Sequence, residues 1–251
     1  CSAESGGKDK NHTTRECQAA QSPVLTCDHE CSFRCQDWLG GKRVTWVFLS
    51  VAFAPGSRNR LTEHDLDRFP GDTLFDRVGR VLCHAGCLPR KELYEAWEVA
   101  RRVRRLRRGG RVIDAAGGAG LLAHLMILLD DTSPEAIVVD PTQPPSATTL
   151  HAALARSWPR LDRRVSFVAS DISQFDLTSD DVVVSSHACG ALSDRILERA
   201  IAARAVVAVL PCCHNLTTCE TGPLAGWLDG PLAIDVMRAM RLEQSGYRVW
   251  T

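Results

Sequence analysis

Apolar and polar positions divide this chain into two parts. The second part, from about residue 111 onward, alternates short continuous apolar runs with segments of helical spacing. Runs such as AIVVD, DVVVSS and AVVAVL are typical of parallel strands that are buried on both faces. Strands that alternate with helices predict an α/β fold with a doubly wound, mostly parallel sheet. The first part predicts a helical or irregular amino-terminal extension.

The strands and helices of the second part are placed by their patterns. Six strands are predicted, over 111–115, 136–139, 165–169, 181–185, 205–210 and 247–250. The predicted helices lie at 120–129, 146–157, 193–203 and 232–245. Ser193 is a candidate N-cap, because a serine side chain accepts a hydrogen bond from the first free N–H groups of a helix.

A long amphipathic helix is predicted before the first of these strands, over 90–107. Pro89 precedes it and Gly109-Gly110 ends it, as is common at helix termini. Its apolar positions step by three and four residues, at Leu93, Trp97, Ala100, Val103 and Leu106. Further upstream, the pattern predicts a strand over 44–53, a short helix over 63–68 capped by Thr62, and a helix over 73–82.

Three regions follow from these elements and from the local composition. Residues 1–40 are polar and contain several cysteines, which indicates a disordered or Cys-rich extension. Residues 41–88 lead towards the alternating part, and residues 89–251 form the domain that contains the sheet. The chain begins with Cys1 and ends in the sixth predicted strand. The sequence therefore leaves open whether a segment is missing at either end.

Overall composition narrows the class of protein. The 251 residues are 45% hydrophobic and 24% charged with a formal net charge of +0, so overall charge does not favour a nucleic-acid partner. No apolar run approaches the ~20 residues of a membrane-spanning helix, so no membrane partner is expected. Eleven cysteines favour free or metal-bound thiols in a reducing, cytoplasmic compartment. The spacing of Cys27, Cys31 and Cys35 suits zinc, and a metal-free extension stays open as the alternative.

A loop of small residues follows the first strand, over Asp114–Gly120 (DAAGGAG). Small residues allow a backbone to approach a nucleotide-like ligand closely. As a dinucleotide loop it has two of the three expected glycines, and Ala123 replaces the third. As a loop for S-adenosylmethionine, acid-x-G-x-G-x-G, it has alanine at the first glycine position. The residues that would surround that cofactor are Asp114, Ala116, Gly117, Gly118 and Gly120.

Acidic residues at successive strand ends distinguish these two ligands. Asp114 suits a cofactor that carries a sulfonium and an amino group, whereas it would repel a pyrophosphate. Asp140 can accept hydrogen bonds from both ribose hydroxyls. Asp171 is placed to accept one from the adenine amino group, with Ile172 beside the ring. The set favours S-adenosylmethionine, and three alternatives remain: acids that merely cap the next helices, a NAD-dependent oxidoreductase, and a non-catalytic binding module.

Cysteine and histidine residues follow the fourth and fifth strands, which are neighbours in this fold: His187, Cys189, Cys212, Cys213 and His214. Ligands of open parallel sheets bind beyond these strand ends. One interpretation is the pocket of a methyl acceptor, with His187 or His214 as general base. Another is that Cys212 or Cys213 is a nucleophile, which requires a thiolate. A zinc site and cysteines that only pack the top of the sheet stay open.

The stretch Leu88–Thr251 resembles class I S-adenosylmethionine-dependent methyltransferases. The resemblance is closest to a group with H-x-C-G after the fourth strand and P-C-C-H after the fifth, here His187–Gly190 and Pro211–His214. Pro89–Glu95 is similar to the lysine- and glutamate-bearing helix that precedes the glycine loop in that group. The resemblance implies a Rossmann-like sheet and S-adenosylmethionine as cofactor. A related branch methylates ribose in tRNA, so RNA is the favoured acceptor, with protein and small molecules left open.

The polar face of the long helix carries six arginines: Arg101, Arg102, Arg104, Arg105, Arg107 and Arg108. Such a row can follow the phosphates of a nucleic acid, which makes it a candidate RNA-binding surface. Aromatic residues make up only 6% of the chain, and no stacking platform is evident beside the row. A solvated helix face is the alternative.

Overall fold

The structure, a computed structural model, describes residues 38–39, 42–43, 58–211 and 213–250. The predicted zinc site at Cys27, Cys31 and Cys35, the predicted strand over 44–53, and Cys212 lie outside the described residues. The chain divides into two compact units. The first contains a short antiparallel pair, β1 (Trp38–Leu39) and β2 (Lys42–Arg43). The second contains all the elements that follow.

Within the described residues, five parallel strands form the sheet of the second unit: β3 (Arg111–Ala115), β4 (Ala136–Asp140), β5 (Val165–Ala169), β6 (Asp181–Ser185) and β7 (Val206–Val209). Their order in the sheet is β5-β4-β3-β6-β7. The predicted Rossmann-like, mostly parallel sheet is therefore confirmed. The chain goes from β3 to one side of the sheet and later to the other, so the strand order reverses at β3. Ligands of such sheets bind beyond the carboxyl ends of the strands at this reversal.

Helices cover both faces of the sheet: α1 (Leu74–Ala85), α2 (Arg90–Leu106), α3 (Leu121–Leu129), α4 (Pro145–Ser157), α5 (Ala191–Ala203) and α6 (Gly230–Gln244). Short 3-10 helices lie at Glu63–Arg68, Pro159–Leu161 and Gly222–Leu224. Val112 and Val182 face the apolar cluster under α1 to α4, and Ile113 and Val183 face the cluster under α5. This two-sided burial explains the continuous apolar runs of the strands. Among the described helices, none combines the length and apolar character that crossing a bilayer requires.

Residues 58–88 belong to the same compact unit as the sheet. Leu61, Phe69 and Leu82 are fully buried and share their cluster with Leu93 of α2. The two helices predicted in this segment are present, the first of them as a 3-10 helix. The segment therefore supplies part of the core beneath α2 and fixes the position of that helix.

The prediction of a sixth strand over 247–250 is wrong, because this segment has no strand conformation and pairs with no strand of the described residues. The Tyr247 hydroxyl donates instead to carbonyl oxygens at the junction of α5 and β7, at 3.0 Å from Ala200 and 2.9 Å from Ala205. This anchor holds the end of the described chain against that junction. The local apolar pattern of the segment carries no information about the distant carbonyls.

Two helix details also differ from the predictions. Ser193 is not the N-cap of α5, since the helix begins directly after Gly190. The buried Ser193 hydroxyl donates to the Ala188 carbonyl oxygen at 2.6 Å and is satisfied there. Leu106 continues the apolar spacing of α2 but is 59% exposed, because α2 ends at this residue and the chain leaves the core before entering β3.

Candidate functional site

The glycine loop between β3 and α3 has a backbone that few residues tolerate. Gly118 and Gly120 have φ angles of 53° and 82°, in the left-handed region. A Cβ on Gly117 would lie 2.7 Å from the Asp114 carboxyl carbon, and one on Gly120 would lie 2.7 Å from a Val138 methyl. A Cβ on Gly118 would have no atom within 4 Å. Gly117 and Gly120 are thus required by packing, whereas the backbone at Gly118 is open to a ligand.

Ala116 is the alanine that stands at the first glycine position of the loop, and its φ of 54° is also left-handed. A Cβ costs about 1–2 kcal/mol in this conformation, and the greater flexibility of unfolded glycine offsets part of that cost. We expect Ala116→Gly to raise the midpoint of thermal unfolding by about 2 °C. The control is Ala119→Gly, where φ is not left-handed and a buried methyl is lost. A lower midpoint for Ala116→Gly would contradict this account.

Asp114 lies beneath the loop at the end of β3 and is 1% exposed. Its Oδ2 accepts a hydrogen bond from the Ala123 N–H at 3.0 Å, whereas its buried Oδ1 has no partner among the described residues. Burial raises the pKa of Asp114 to about 7; the Ala123 N–H opposes this, and the negative charges of Glu92 and Asp140 add to it. Asp114 Oδ1 can therefore accept a hydrogen bond from a ligand. A carboxylate at this position suits a cationic ligand and would repel a pyrophosphate.

Asp140 is the last residue of β4, which lies beside β3, and Asp171 follows β5 on the far side of β4. Asp140 holds the loop, since its Oδ2 accepts from the Gly118 N–H at 3.1 Å. Asp171 Oδ1 accepts from the Ser173 N–H at 2.8 Å, and the hydrogen bonds of Ser173 lower the pKa of this carboxyl, with a further contribution from the positive charge of Arg195. The structure thus brings Asp114, Asp140 and Asp171 to one edge of the sheet.

Ile172, placed beside the adenine ring by the sequence analysis, is a core residue. It is 3% exposed and packs in the cluster that contains Ala115 and Val139. Its contact with an adenine ring stays a prediction.

Acidic residues on the first turns of α2 reach the same edge, and sequence reasoning did not assign them a role. The Lys91 ammonium pairs with Glu95 Oε1 at 3.3 Å, while the buried Glu95 Oε2 has no partner among the described residues. Burial raises the pKa of Glu92 to about 7, and Glu95 adds to the shift. The sequence signal was the likeness of Pro89–Glu95 to a lysine- and glutamate-bearing helix, but spacing alone did not show what the side chains face.

His187 leaves the end of β6, next to the end of β3. Its Nε2 is buried without a hydrogen-bond partner among the described residues. Burial lowers the pKa of His187, Glu95 opposes the shift, and Lys91 adds to it. The imidazole is therefore neutral at pH 7 and able to accept a proton.

The loops after β6 and β7 meet, as expected from the strand order. Cys189 Sγ lies 3.1 Å from Cys213 Sγ, and the Gly190 N–H donates to the Cys213 carbonyl oxygen at 3.0 Å. His214 Nε2 lies 2.9 Å from the Asp235 carboxylate on α6. Within the described part of the chain, no group of three or more His, Cys, Asp or Glu side chains is arranged to hold a metal ion.

Arg238 of α6 connects the two loops. Its guanidinium, in a residue that is 8% exposed, donates to Asp194 at 2.8 and 3.0 Å and to the Gly190 carbonyl oxygen at 3.0 Å. It also donates to Asp235, the partner of His214, at 3.2 Å. Sequence reasoning missed Arg238 and Asp235, because both lie in an amphipathic helix with no local pattern that points to the loops.

The arginine row of α2 is not a uniform exposed face. Arg104 is 3% exposed, and its guanidinium pairs with the buried Asp130 at 3.1 Å and donates to Ser133 Oγ at 2.8 Å. Its inclusion in the predicted RNA-binding row is therefore wrong. The remaining members lie at the surface or partly buried: Arg101, Arg102, Arg105, Arg107 and Arg108. They occupy the end of α2 that leads into the start of β3, about 20 Å along the helix from Glu92.

Comparison with known proteins gives one family and a set of solved structures. Residues 91–220, just over half of the chain, match the sequence profile of a family described as a methyltransferase domain. No curated protein matches the chain. A putative RNA methyltransferase from Pyrococcus horikoshii is 22% identical over 44% of this chain and 56% of its own, with a TM-score of 0.35. Human N-acetylserotonin methyltransferase in complex with SAM is 16% identical over 70% of this chain and 51% of its own, with a TM-score of 0.39. The chain thus spans about half the length of these two structures.

Proposed function

This chain belongs to the family of methyltransferase domains, with S-adenosylmethionine as its cofactor, and we propose that it transfers the cofactor's methyl group to an RNA acceptor. The observation that carries the cofactor side is the buried Asp114 beneath an open glycine loop, with Oδ1 lacking a partner among the described residues. Membership in this family overturns the alternative of a NAD-dependent oxidoreductase.

The residues around the loop bind different parts of the cofactor. The open backbone at Gly118 admits the ligand beside the loop, and Asp140, which already accepts from the Gly118 N–H, has further acceptor positions for the ribose hydroxyls. Asp171 accepts from the adenine amino group. When bound, the cofactor supplies a methyl group on a positively charged sulfur. Transfer from such a group is an in-line displacement that depends mainly on positioning.

His187 is the base of the proposed reaction. Its neutral imidazole presents a buried Nε2 at the end of β6, beside the cofactor loop, and can take the proton that the acceptor atom loses. His214 is held by Asp235 and shapes the acceptor pocket together with Cys189 and Cys213. The unpartnered Nε2 of His187 favours it over His214 for the proton.

The positions of the exposed arginines favour a macromolecular acceptor. They lie about 20 Å along α2 from the cofactor edge, a distance that an RNA spans and a small metabolite does not. Glu98 pairs with Arg101 and Arg102, and Asp130 pairs with Arg108, which leaves Arg105 and Arg107 as exposed positive charges at the end of the helix. Phosphates of an RNA whose methylated nucleotide reaches His187 would pass over this end.

A salt titration tests the RNA surface. We expect the double variant Arg105→Ala, Arg107→Ala to bind a fluorescent RNA hairpin more weakly than the wild type. The slope of log K against log salt should fall by about 1.5, because each lost phosphate contact removes roughly 0.7–0.9. The matched control is Arg163→Ala, an exposed arginine outside α2. An unchanged slope would remove the arginines from the acceptor surface.

A transfer assay tests the acceptor itself. Tritiated S-adenosylmethionine is incubated with the protein and with separate RNA, protein and small-molecule fractions of a cell extract. The label should enter the nuclease-sensitive fraction. Label in another fraction would overturn the RNA acceptor, and failure to bind S-adenosylhomocysteine would establish a non-catalytic module. A covalent adduct with a fluoropyrimidine RNA would replace His187 by Cys212 or Cys213 as the reacting residue.

A further inference from the structure

Two thiols meet where the loops after β6 and β7 lie side by side. Cys189 belongs to the first loop and Cys213 to the second, and their Sγ atoms are 3.1 Å apart. A disulfide bond is about 2.05 Å long, so these sulfurs would have to approach each other by only about 1 Å to form one. The proposed function uses both residues as walls of the acceptor pocket and assigns them no reaction with each other.

Contacts that do not involve sulfur hold the two loops together. The Gly190 N–H donates to the Cys213 carbonyl oxygen at 3.0 Å. A Cβ on Gly190 would lie 3.6 Å from the Asn215 Cβ, so the loops are in van der Waals contact next to the thiols. The Arg238 guanidinium donates to the Gly190 carbonyl oxygen at 3.0 Å and adds an anchor from α6. The backbone therefore keeps the two thiols close to each other.

Solvent access distinguishes these thiols from the other described cysteines. Cys83 and Cys219 are buried and Cys87 is half-buried, whereas Cys189 and Cys213 are exposed. The thiolate is the form of cysteine that an oxidant attacks, and burial in apolar surroundings suppresses it. Burial raises the pKa of Cys83 to about 11 and also raises the pKa of Cys87. The two exposed cysteines of the described chain are thus the same two whose sulfur atoms are in contact.

We propose that Cys189 and Cys213 form a redox modification site, in which a peroxide joins them in a reversible disulfide that ties the loop after β6 to the loop after β7. The formation of the disulfide is independent of the proposed function. Its effect on methyl transfer rests on that function.

One molecule of hydrogen peroxide balances the oxidation. The thiolate of one cysteine attacks a peroxide oxygen, so that an S–O bond forms and the O–O bond breaks, and the departing hydroxide takes up the proton that the thiol released. The product is a sulfenic acid. The thiolate of the other cysteine attacks this sulfur, an S–S bond forms, the S–O bond breaks, and hydroxide again leaves and takes up a proton. The two thiols lose two electrons, the peroxide becomes two water molecules, and a dithiol reverses the reaction by thiol–disulfide exchange.

The disulfide would restrain the acceptor side and spare the cofactor side. His187 precedes Cys189 by two positions and His214 follows Cys213 directly, and the proposed function places both histidines at the acceptor. A cross-link prevents the two loops from moving apart around an acceptor. The residues assigned to the cofactor lie in other loops, after β3, β4 and β5. Oxidation should therefore lower methyl transfer without changing the affinity for the cofactor.

Mass spectrometry tests the cross-link. Trypsin cleaves after arginine, which leaves Cys189 on the peptide 165–195 and Cys213 on the peptide 205–238. After treatment of the wild type with hydrogen peroxide, the non-reduced digest should contain these two peptides joined, with a mass two hydrogens below their sum. Dithiothreitol should separate them. Absence of the joined peptides would overturn the proposal.

Serine variants identify the partner of Cys189, because the second peptide also carries Cys212 and Cys219. Cys189→Ser and Cys213→Ser should abolish the joined peptides, whereas Cys212→Ser should retain them. Cys87→Ser removes a half-buried thiol elsewhere in the fold; it is the matched control and should also retain them. Joined peptides in Cys213→Ser would overturn the assignment of the partner. The wild-type digest tests the cross-link even where a variant does not fold.

Transfer assays separate the redox effect from the function on which it rests. In the wild type, transfer of tritiated methyl groups to RNA should be mostly lost after peroxide and restored by dithiothreitol, with equal calorimetric affinity for S-adenosylhomocysteine in both states. In Cys189→Ser, the two treatments should give the same rate. Equal transfer by the oxidised and reduced wild type, or weaker cofactor binding after oxidation, would overturn the effect on the acceptor side. If the reduced protein transfers no methyl group, the proposed function fails, and the joined peptides still decide the cross-link.

Discussion

Replacement of Asp140 by alanine is expected to weaken S-adenosylhomocysteine binding about 100-fold. The carboxylate supports the loop by accepting from the Gly118 N–H, and it accepts from the Thr142 N–H through its other oxygen. We assign its remaining acceptor positions to the two ribose hydroxyls. Hydrogen bonds to a charged group contribute about 1.5–3 kcal/mol each, so the loss of two costs roughly 3 kcal/mol, which is about 100-fold in affinity. Isothermal calorimetry measures the change.

Two controls make the Asp140 result specific. Asp67→Ala removes an exposed carboxylate outside the sheet and should leave the affinity unchanged. Asp140→Asn keeps one acceptor oxygen and should give an intermediate loss. An affinity of Asp140→Ala equal to that of the wild type would show that the ribose is held elsewhere.

Replacement of Arg104 by alanine is expected to destabilise the fold by about 3 kcal/mol. Arg104 and Asp130 are both buried, with side chains 3% and 1% exposed, and they pair at 3.1 Å. Removal of one partner from a buried ion pair leaves the other charge uncompensated, which typically costs about 3–5 kcal/mol. Asp130 keeps its bonds from the Gly109 and Thr132 N–H groups, so the lower end of this range is expected. Urea unfolding followed by circular dichroism gives the value.

Arg105→Ala is the matched control for Arg104→Ala, because it removes the neighbouring but exposed arginine. It should change the free energy of unfolding by less than about 0.5 kcal/mol. Equal stability of the two variants would contradict the structural role of Arg104. The pair of variants also separates the arginines that hold α2 in place from those available to an RNA.

The sheet and the acids at its edge were predictable because both depend on local sequence. Continuous β-branched runs identify buried parallel strands, and the end of such a run fixes where the next polar residue lies. Asp114, Asp140 and Asp171 could therefore be placed at one edge before their surroundings were known. The conformation of the loop was legible only in part: Gly118 and Gly120 mark left-handed backbone, but Ala116 adopts it as well and Gly117 does not.

Features that depend on distant partners were not predictable. The spacing of Arg104 matches its exposed neighbours, and its burial is explained by distant partners, Asp130 and Ser133, which lie beyond the end of α3. Serine is a common N-cap residue, but the Ser193 hydroxyl donates to the Ala188 carbonyl oxygen instead. The helical period of α2 identifies a buried face, yet it does not show that Glu92 lies close enough to Asp114 to influence its charge.

The contacts of Arg238 link the loop after β6 mechanically to the loop after β7. One guanidinium is bonded to the Gly190 carbonyl, to Asp194 and to Asp235, so it is anchored at once to the loop after β6 and to the helix that holds His214. Because a guanidinium is rigid and planar, we expect a displacement of one loop to be transmitted to the other. A molecule that presses on either loop should then move both.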